Sequence, residues 1–301
     1  MIKTYSFSSE KRGKRLLILG AVHGNETCGP IAIGKLIAGL NTGAIRLERG
    51  SLTCVPVCNE RAYSKNIRMT EDNLNRVFRH HDEPDSYEKQ LANELVPLFA
   101  DADYVLDLHS MPSGHDAYAF ADKTTPEVLG LSEATGVPYI MTGWPELFEN
   151  TGDSSAGEYA ISLGKIAVSV ECGQHGTEES THVAYGAIIN VLKYLKIIDP
   201  PSLHYGAASG ASETGGPAFA KASGGKQKTI AMTDRIIYDG GKFAKHWANF
   251  DVLRAGDLIG WRGDGSEVRA ERDAVMIIPN LDDDIQVGHE WYYLGKFQTA
   301  I

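Results

Sequence analysis

Two side chains that could bind a metal ion stand close together near the start of the chain. His23 and Glu26 are separated by two residues and follow an apolar run, Leu16 to Leu19, that is typical of a buried strand. If the chain curls after this strand, an imidazole nitrogen and a carboxylate oxygen can face one point, as they do in zinc sites. A polar turn that caps the following helix is the alternative explanation for the same pair.

A second histidine is expected at the same place. The segment Asp103–Ser110 is predicted to be a buried strand with His109 at its carboxyl end. Because ligands of open α/β sheets bind at the carboxyl ends of the strands, His109 is expected beside His23 and Glu26. Two histidines and one carboxylate leave a fourth zinc position open for water, which is typical of catalytic rather than structural sites. We therefore expect one zinc ion per chain.

Two more polar side chains follow predicted strands. Glu171 ends the strand that starts at Ile166, and Arg61 follows the strand Leu52–Val57. A hydrolytic zinc site needs a carboxylate that takes a proton from water, and Glu171 is the candidate. Arg61 is a candidate for stabilising the oxyanion that forms on an attacked carbonyl. A turn-capping acid and a solvated surface charge are the alternative explanations for the two residues.

The elements that position these residues alternate between strands and helices. Apolar periodicity predicts helices at 28–40, 87–100, 126–135, 154–163 and 182–198, and strands at 16–19, 52–57, 103–110, 118–121, 138–142 and 166–173. The predicted fold class is α/β, with a mixed, mostly parallel sheet flanked by helices. The segment 62–81 is predicted to be a long loop, and long loops in compact domains are usually functional.

The chain changes character at Pro200-Pro201. Beyond this pair the sequence is rich in Gly, Ala and Ser up to Gly225, and the predicted short strands are 229–232, 235–238, 258–261, 275–278 and 291–294. We therefore expect a catalytic domain at 1–200. A smaller, all-β domain at 201–301 is expected to cap the active site.

Composition limits the partners. The chain has 301 residues, a formal net charge of −10 and no cluster of Lys and Arg, so nucleic acid is not an expected partner. The first ten residues lack an apolar signal core, and no stretch of about 20 apolar residues occurs. We therefore expect a cytoplasmic protein that acts on a small molecule and has no membrane partner. A homo-oligomer is compatible with the sequence.

Five motifs together resemble one protein family. They are His23-Gly-Asn-Glu26, Asn59-Glu60-Arg61-Ala62, Asn73-Leu-Asn75-Arg76-Val-Phe78, Asp107-Leu-His109-Ser110 and Val170-Glu171-Cys172-Gly173. Their order and spacing resemble the aspartoacylase and succinylglutamate desuccinylase branch of the zinc carboxypeptidase-like superfamily. The resemblance covers about residues 15–175, and the β-rich tail is similar to the C-terminal domain of that family. It implies a zinc-dependent amidohydrolase that removes the acyl group from a small N-acyl amino acid.

The resemblance also implies a role for each matched residue. The zinc ligands are matched by His23, Glu26 and His109, the general base by Glu171, and the carbonyl-polarising arginine by Arg61. Asn75 and Arg76 match the pair that grips a substrate carboxylate, and an arginine fork suits this role because it can donate two parallel hydrogen bonds. Near the end of the chain, Tyr292 is the first choice for the tyrosine that the C-terminal domain lends to the active site.

One departure from the family concerns the substrate. In aspartoacylase an arginine on the helix before the base-bearing strand reads the aspartate side chain, whereas Ile161 holds the corresponding position here. The resemblance therefore does not extend to N-acetylaspartate. Arg68, in the long loop, is expected to be a solvated charge. Two alternative functions are a carboxypeptidase or amidase acting on a peptide or cell-wall fragment, and a non-catalytic binding protein on the same fold.

Overall fold

The structure is a computed structural model that describes residues 2–112, 116–148, 152, 154–199, 227–281 and 285–298. The chain forms two compact units, Met1–Ile140 with Asn150–Gln227 and Met141–Glu149 with Lys228–Ile301. The domain boundary predicted at Pro200-Pro201 lies outside the described residues. The inclusion of the short segment Met141–Glu149 in the second unit is a feature that the strand and helix patterns do not reveal.

The first unit alternates strands and helices. Its strands are β1 (Tyr5–Ser8), β2 (Arg15–Gly20), β3 (Ser51–Val55), β4 (Tyr104–Met111), β5 (Tyr118–Ala121), β6 (Tyr139–Thr142, which ends in the second unit) and β7 (Ile166–Gln174). Its helices are α1 (Cys28–Thr42), α2 (Glu60–Lys65), α3 (Tyr87–Ala100), α4 (Pro126–Ala134), α6 (Ala156–Ser162) and α7 (Glu178–Tyr194). The predicted loop 62–81 therefore contains the end of α2, and it also contains a 3₁₀ turn at Leu74–Arg76.

The sheet of this unit is mixed and mostly parallel around the site, as predicted. The strand order is β1-β3-β2-β4-β7-β5. The pairs β2–β3, β2–β4 and β4–β7 are parallel, whereas β1–β3 and β5–β7 are antiparallel. Every residue of β4 is buried, which agrees with the continuous apolar pattern expected of a strand covered on both faces.

Helices cover both faces of this sheet. One hydrophobic cluster joins α1 and α7 to the sheet, and it includes Ile33 and Ile188. The cluster on the opposite face joins α3 and α6, and it includes Leu95 and Phe99. Because the central strands are held from both sides in register, the carboxyl ends of β2, β4 and β7 lie at one edge of the sheet. Ligands bind at this edge in open α/β sheets.

The described residues of the second unit form β-strands and one short helix, α5 (Trp144–Leu147). Its strands are β8 (Lys228–Ile237), β9 (Lys242–Phe243), β10 (Val252–Leu253), β11 (Leu258–Trp261), β12 (Glu267–Arg269), β13 (Ala274–Ile277) and β14 (Glu290–Phe297). Antiparallel pairing gives the orders β8-β14-β13-β10 and β12-β11-β9. The two strands predicted at 229–232 and 235–238 are one continuous strand. In the described part of the chain, no helix has the length and apolar character needed to cross a membrane.

Candidate active site

The three predicted metal ligands meet at the sheet edge. His23 and Glu26 lie in the turn between β2 and α1, and His109 lies near the end of β4. One ligand atom from each residue lies within 4.8 Å of the others. All three residues are at most 3% exposed, and polar groups are buried at this level only when they have partners. In this cluster, one Glu26 carboxylate oxygen is 2.8 Å from His23 Nδ1 and the other is 2.8 Å from His109 Nδ1.

The opposite ring nitrogens have oxygen partners of their own. His109 Nε2 is 2.7 Å from a carboxylate oxygen of Asp107, and His23 Nε2 is 3.0 Å from the amide oxygen of Asn73. The same amide oxygen accepts the backbone N–H of Asn75 at 2.9 Å, which fixes the direction of the amide. Both Nε2 atoms are therefore placed to donate a proton to oxygen. This leaves the two Nδ1 lone pairs facing a carboxylate, an arrangement that suits a divalent cation between them.

The electrostatics favour the protonation states that metal ligands require at His23 and Glu26, whereas they favour a protonated His109. Burial lowers the pKa of His23 to about 4, although the charge of Glu26 opposes this shift. Burial acts to raise the pKa of Glu26, but the charges of His23 and His109 outweigh it and hold that pKa well below its usual value. For His109, burial is outweighed by Asp107 and Glu26, which raise its pKa. A bound cation would take the place of the proton that these carboxylates attract.

Asp107 is a candidate site residue that the sequence motif contained without an assigned role. Its position two residues before His109 places both side chains on the same face of β4, because side chains alternate along a strand. Carboxylates that accept a hydrogen bond from a ligand histidine fix its tautomer and orientation. The alternation was the signal that could have identified Asp107 from the sequence.

Glu171 lies beside this cluster. The parallel pairing of β4 and β7 sets Glu171 opposite His109. Its Oε2 atom is buried and has no hydrogen-bond donor among the described residues. Burial and the nearby negative charge of Glu26 raise its pKa well above the usual value for glutamate. A carboxylate with one buried, open acceptor atom and a raised pKa is suited to acid–base chemistry.

The structure places Arg68, rather than Arg61, at the cluster. The Arg61 side chain is 58% exposed, its guanidinium lies 3.9 Å from the Tyr87 ring centroid, and its Nη1 is 3.8 Å from Glu71. By contrast, Arg68 Nη1 is 3.4 Å from a Glu26 carboxylate oxygen. The expectation that Arg68 is only a solvated charge is therefore corrected. The carbonyl-polarising role of Arg61 stays a prediction, and the contact with Glu26 makes Arg68 a second candidate for it.

The predicted carboxylate-gripping pair lies in the 3₁₀ turn near the cluster. The amide oxygen of Asn75 accepts the backbone N–H of Ala156 at 2.9 Å, so it also caps the start of α6. Arg76 Nη1 donates to the carbonyl oxygen of Asn75 at 2.8 Å. The turn is connected to the candidate metal ligands because the amide oxygen of Asn73, the N-cap of the turn, accepts a hydrogen bond from His23 Nε2. The role of the pair in substrate binding stays a prediction.

A further polar group adjoins the cluster. His175, just after β7, lies 2.8 Å through Nδ1 from the Ser110 hydroxyl and 3.5 Å through Nε2 from Asn25 Nδ2. The backbone N–H of Ser110 donates to Glu26 at 3.1 Å. Burial lowers the pKa of His175. His175 therefore contacts residues that neighbour the candidate ligands, and the sequence contains no motif that predicts this.

Two residues linked to specificity occupy hydrophobic surroundings. Ile161 on α6 packs against the hydrophobic cluster between that helix and the sheet. Tyr292 is 1% exposed within the core of the second unit, where its ring lies 5.7 Å from that of Phe243. Its neighbour Tyr293 packs against Trp144, with ring centroids 5.5 Å apart. The contribution of Tyr292 to the active site stays a prediction.

The fold and the site together define an α/β domain with a candidate metal centre at the carboxyl ends of its parallel strands. Residues 12–195 match the family model described as the succinylglutamate desuccinylase/aspartoacylase catalytic domain. The chain therefore belongs to this family. An aspartoacylase of Danio rerio is 31% identical over 133 residues, which are 40% of this chain and 41% of that protein.

Solved structures show the same fold over nearly the whole chain. A succinylglutamate desuccinylase/aspartoacylase from Rhodobacter sphaeroides is 19% identical with a TM-score of 0.75, and the match covers 99% of this chain and 89% of that one. A product-bound structure of the ectoine utilization protein EutE (DoeB) from Ruegeria pomeroyi is 22% identical with a TM-score of 0.74, covering 98% and 88% of the two chains.

Proposed function

We propose that this protein is a zinc-dependent deacylase that hydrolyses the amide bond of a small N-acyl amino acid or a related carboxylate-bearing amide. The observation that supports it most is the convergence of His23, Glu26 and His109, with the second nitrogen of each histidine bonded to oxygen. Two imidazoles and a carboxylate suit zinc and leave an open position. These three residues would hold one zinc ion per chain.

The remaining residues of the site have roles that follow from their contacts. Zinc supplies a Lewis acid that activates water and polarises a carbonyl oxygen. Glu171 takes the proton from the attacking water, because its Oε2 is buried beside the cluster and lacks a donor among the described residues. It then delivers this proton to the leaving nitrogen. Arg68 donates to the carbonyl oxygen on which negative charge develops.

The proposed substrate carries a carboxylate that Arg76 and Asn75 bind. The chain has a formal net charge of −10, so an anionic substrate needs local cations to bind. Arg68 and Arg76 provide two such charges on the segment next to the metal ligands. The names of the relatives, aspartoacylase and succinylglutamate desuccinylase, are consistent with an acylated amino acid.

The proposal is tested with metal analysis and a panel of N-acyl amino acids. We expect about one zinc per chain and hydrolysis of at least one panel member. Glu171→Gln should retain zinc and lose hydrolysis by roughly 10²–10⁴-fold, the usual contribution of a general base. Glu179→Gln, the same change at an exposed position of α7, is the matched control.

Three results would contradict parts of this proposal. Undiminished turnover by Glu171→Gln would exclude Glu171 as the base. Hydrolysis of peptides or cell-wall fragments, with none of N-acyl amino acids, would favour the carboxypeptidase or amidase alternative. No hydrolysis of any panel member by the zinc-loaded protein would favour a binding protein on the same fold.

A further inference from the structure

A fully buried carboxylate lies outside the group of residues assigned above. Glu88, in the first turn of α3, is 0% exposed. A buried carboxylate is stable only when hydrogen bonds or charges compensate for its lost hydration. No arginine or lysine is among the described hydrogen-bond partners of Glu88, and neutral donors surround it instead. The lost hydration of the Glu88 carboxylate is therefore compensated by the hydrogen-bond donors that it holds in place.

Five hydrogen bonds converge on the Glu88 carboxylate. Oε1 accepts three of them, from Asn59 Nδ2 at 3.0 Å, from the Thr70 backbone N–H at 2.8 Å and from the Thr70 hydroxyl at 2.7 Å. Oε2 accepts the other two, from the backbone N–H groups of Glu71 and Asp72, each at 3.2 Å. The carboxylate therefore fixes three consecutive residues of the segment between α2 and the 3₁₀ turn. Through Asn59 it is also joined to the N-cap of α2.

Segment 70–72 lies between two residues that contact the candidate metal ligands. Arg68, just before it, bonds to Glu26 at 3.4 Å. Asn73, just after it, bonds to Nε2 of His23 at 3.0 Å. The Arg68 carbonyl also accepts the backbone N–H of Gly24 at 3.1 Å, in the turn between His23 and Glu26. Movement of the segment would therefore displace a partner of each ligand in that turn.

We propose that Glu88 is a positioning residue of the site. By holding segment 70–72, it places Arg68 against Glu26 and Asn73 against His23. Its effect on hydrolysis rests on the function proposed above. Its effect on the geometry of the metal ligands does not depend on that function, and it can be measured through zinc affinity and amide exchange.

The chemistry of the contacts explains why a carboxylate is required here. All five partners are donors, so the residue must offer acceptors on both of its terminal atoms. In Glu88→Gln only one terminal atom can accept. The new NH₂ group then faces either the N–H groups of Glu71 and Asp72 or the donors of Asn59 and Thr70. This substitution loosens the segment while nearly preserving the side-chain volume.

The first test measures zinc affinity and hydrogen exchange on the full chain. We expect Glu88→Gln to weaken zinc binding by up to roughly 10–100-fold, the usual effect of losing an outer-shell partner of a metal ligand, because it releases the partners Arg68 and Asn73. The backbone amides of Thr70, Glu71 and Asp72 should exchange at least about tenfold faster, because their acceptor is lost or weakened. Glu127→Gln makes the same chemical change at an exposed position of α4 and should alter neither measurement. Unchanged zinc affinity in a folded Glu88→Gln protein would overturn the proposal.

The second test separates positioning from a merely structural role. If Glu88 acts through Arg68, its substitution should lower kcat about tenfold or more in the natural background. It should lower kcat by less than about threefold when Arg68→Ala is already present, because residues that act through one another are not additive. An equal loss in both backgrounds would overturn the proposed route through Arg68.

Two outcomes need separate treatment: a Glu88→Gln protein that does not fold, and a natural protein that hydrolyses no substrate. If Glu88→Gln does not fold, Thr70→Val replaces it, because this change removes one of the five hydrogen bonds and keeps the buried carboxylate. Its zinc affinity should fall in the same direction by a smaller factor, and an unchanged value would count against the proposal. If the natural protein hydrolyses no substrate, the proposed function fails, whereas zinc affinity and amide exchange still decide whether Glu88 positions the site.

Discussion

Arg61 and Arg68 carry the same charge on one short stretch of chain, but their contacts differ. Arg68 bonds to the buried carboxylate of Glu26, whereas the exposed guanidinium of Arg61 stacks on Tyr87. A donor placed where negative charge develops in the transition state typically contributes a factor of about 10²–10³ in rate. Arg68→Ala should therefore lower kcat by about that factor, and Arg61→Ala should change it by less than about threefold, in steady-state assays of both variants on the same substrate.

Zinc content distinguishes this role from simple loss of the metal. Arg68→Ala should still carry zinc when zinc is in excess, because Arg68 contacts a ligand without being one, although its zinc affinity should fall as it does in Glu88→Gln. If Arg61→Ala impairs turnover more than Arg68→Ala does, Arg61 is the residue that polarises the carbonyl, as the sequence motif implied.

At the scale of the elements, the turn that carries His23 and Glu26 fits closely against helix α2. A Cβ atom at Gly24 would lie 2.1 Å from the backbone carbon of Ala62 and 2.3 Å from the backbone nitrogen of Tyr63. Because neither backbone atom can move without shifting the helix, Gly24→Ala should displace the two ligands. We expect a reduced zinc content in the purified variant, measured by metal analysis.

Gly34→Ala provides the control for this change. Gly34 lies inside α1, and beyond the adjacent helix backbone no described residue has an atom within 4 Å of the added Cβ. Alanine in a helix interior is more favourable than glycine by about 0.5–1 kcal/mol, so Gly34→Ala should be slightly stabilised in chemical denaturation and should keep its zinc. Full zinc occupancy in Gly24→Ala would show that the turn can move without loss of the site.

The hydrogen bonds between α3 and segment 70–72 also predict how stability depends on pH. Although burial opposes the shift, the bonds from Thr70, Asn59 and Asp72 hold the pKa of Glu88 below the 4.5 of an ordinary glutamate. The unfolded chain therefore binds more protons between the two pKa values. The stabilisation by Glu88 is fully present above pH 4.5 and is lost as the pH falls through the lower pKa of the folded state.

Measurement of the unfolding free energy at decreasing pH checks the direction of this pKa shift. Glu88→Gln should be less stable than the natural protein at neutral pH, and the difference should shrink as the pH falls below 4.5. Glu127→Gln should follow the curve of the natural protein. A difference between Glu88→Gln and the natural protein that grows with acidity would contradict the assigned pKa shift.

The elements that the sequence predicted well are those with long apolar patterns. The buried strands β2, β4 and β7 and the helices α1 and α3 agree with their predicted positions, because burial on the sheet requires the apolar spacing that the sequence displays. The short elements α2 and α5 have only six and four residues, which is too few to display such spacing. The same limit applies to Arg68 and Glu88, whose roles depend on contacts between segments far apart in the sequence.

At the scale of the whole molecule, the candidate ligands link metal binding to the stability of the first unit. His23 and Glu26 lie on the turn after β2, whereas His109 lies on β4, so only the folded sheet brings the three together. An ion that binds the folded state alone stabilises it by about 2.7 kcal/mol at a free concentration near 100 times its Kd. For a chain of this size that corresponds to a rise in Tm of roughly 5 °C.

Calorimetry with and without zinc tests this link, and the second unit serves as an internal control because it contains none of the three ligands. If they unfold in separate transitions, zinc should raise the Tm of the unit that contains the ligands and leave that of the second unit unchanged. Removal of zinc by a chelator should reverse the shift, and His109→Ala should abolish it because a ligand is missing. Glu171→Gln should retain the shift, because Glu171 lies beside the ligands and is proposed to handle the proton of the attacking water. A zinc-dependent shift that survives in His109→Ala would place the ion elsewhere in the molecule.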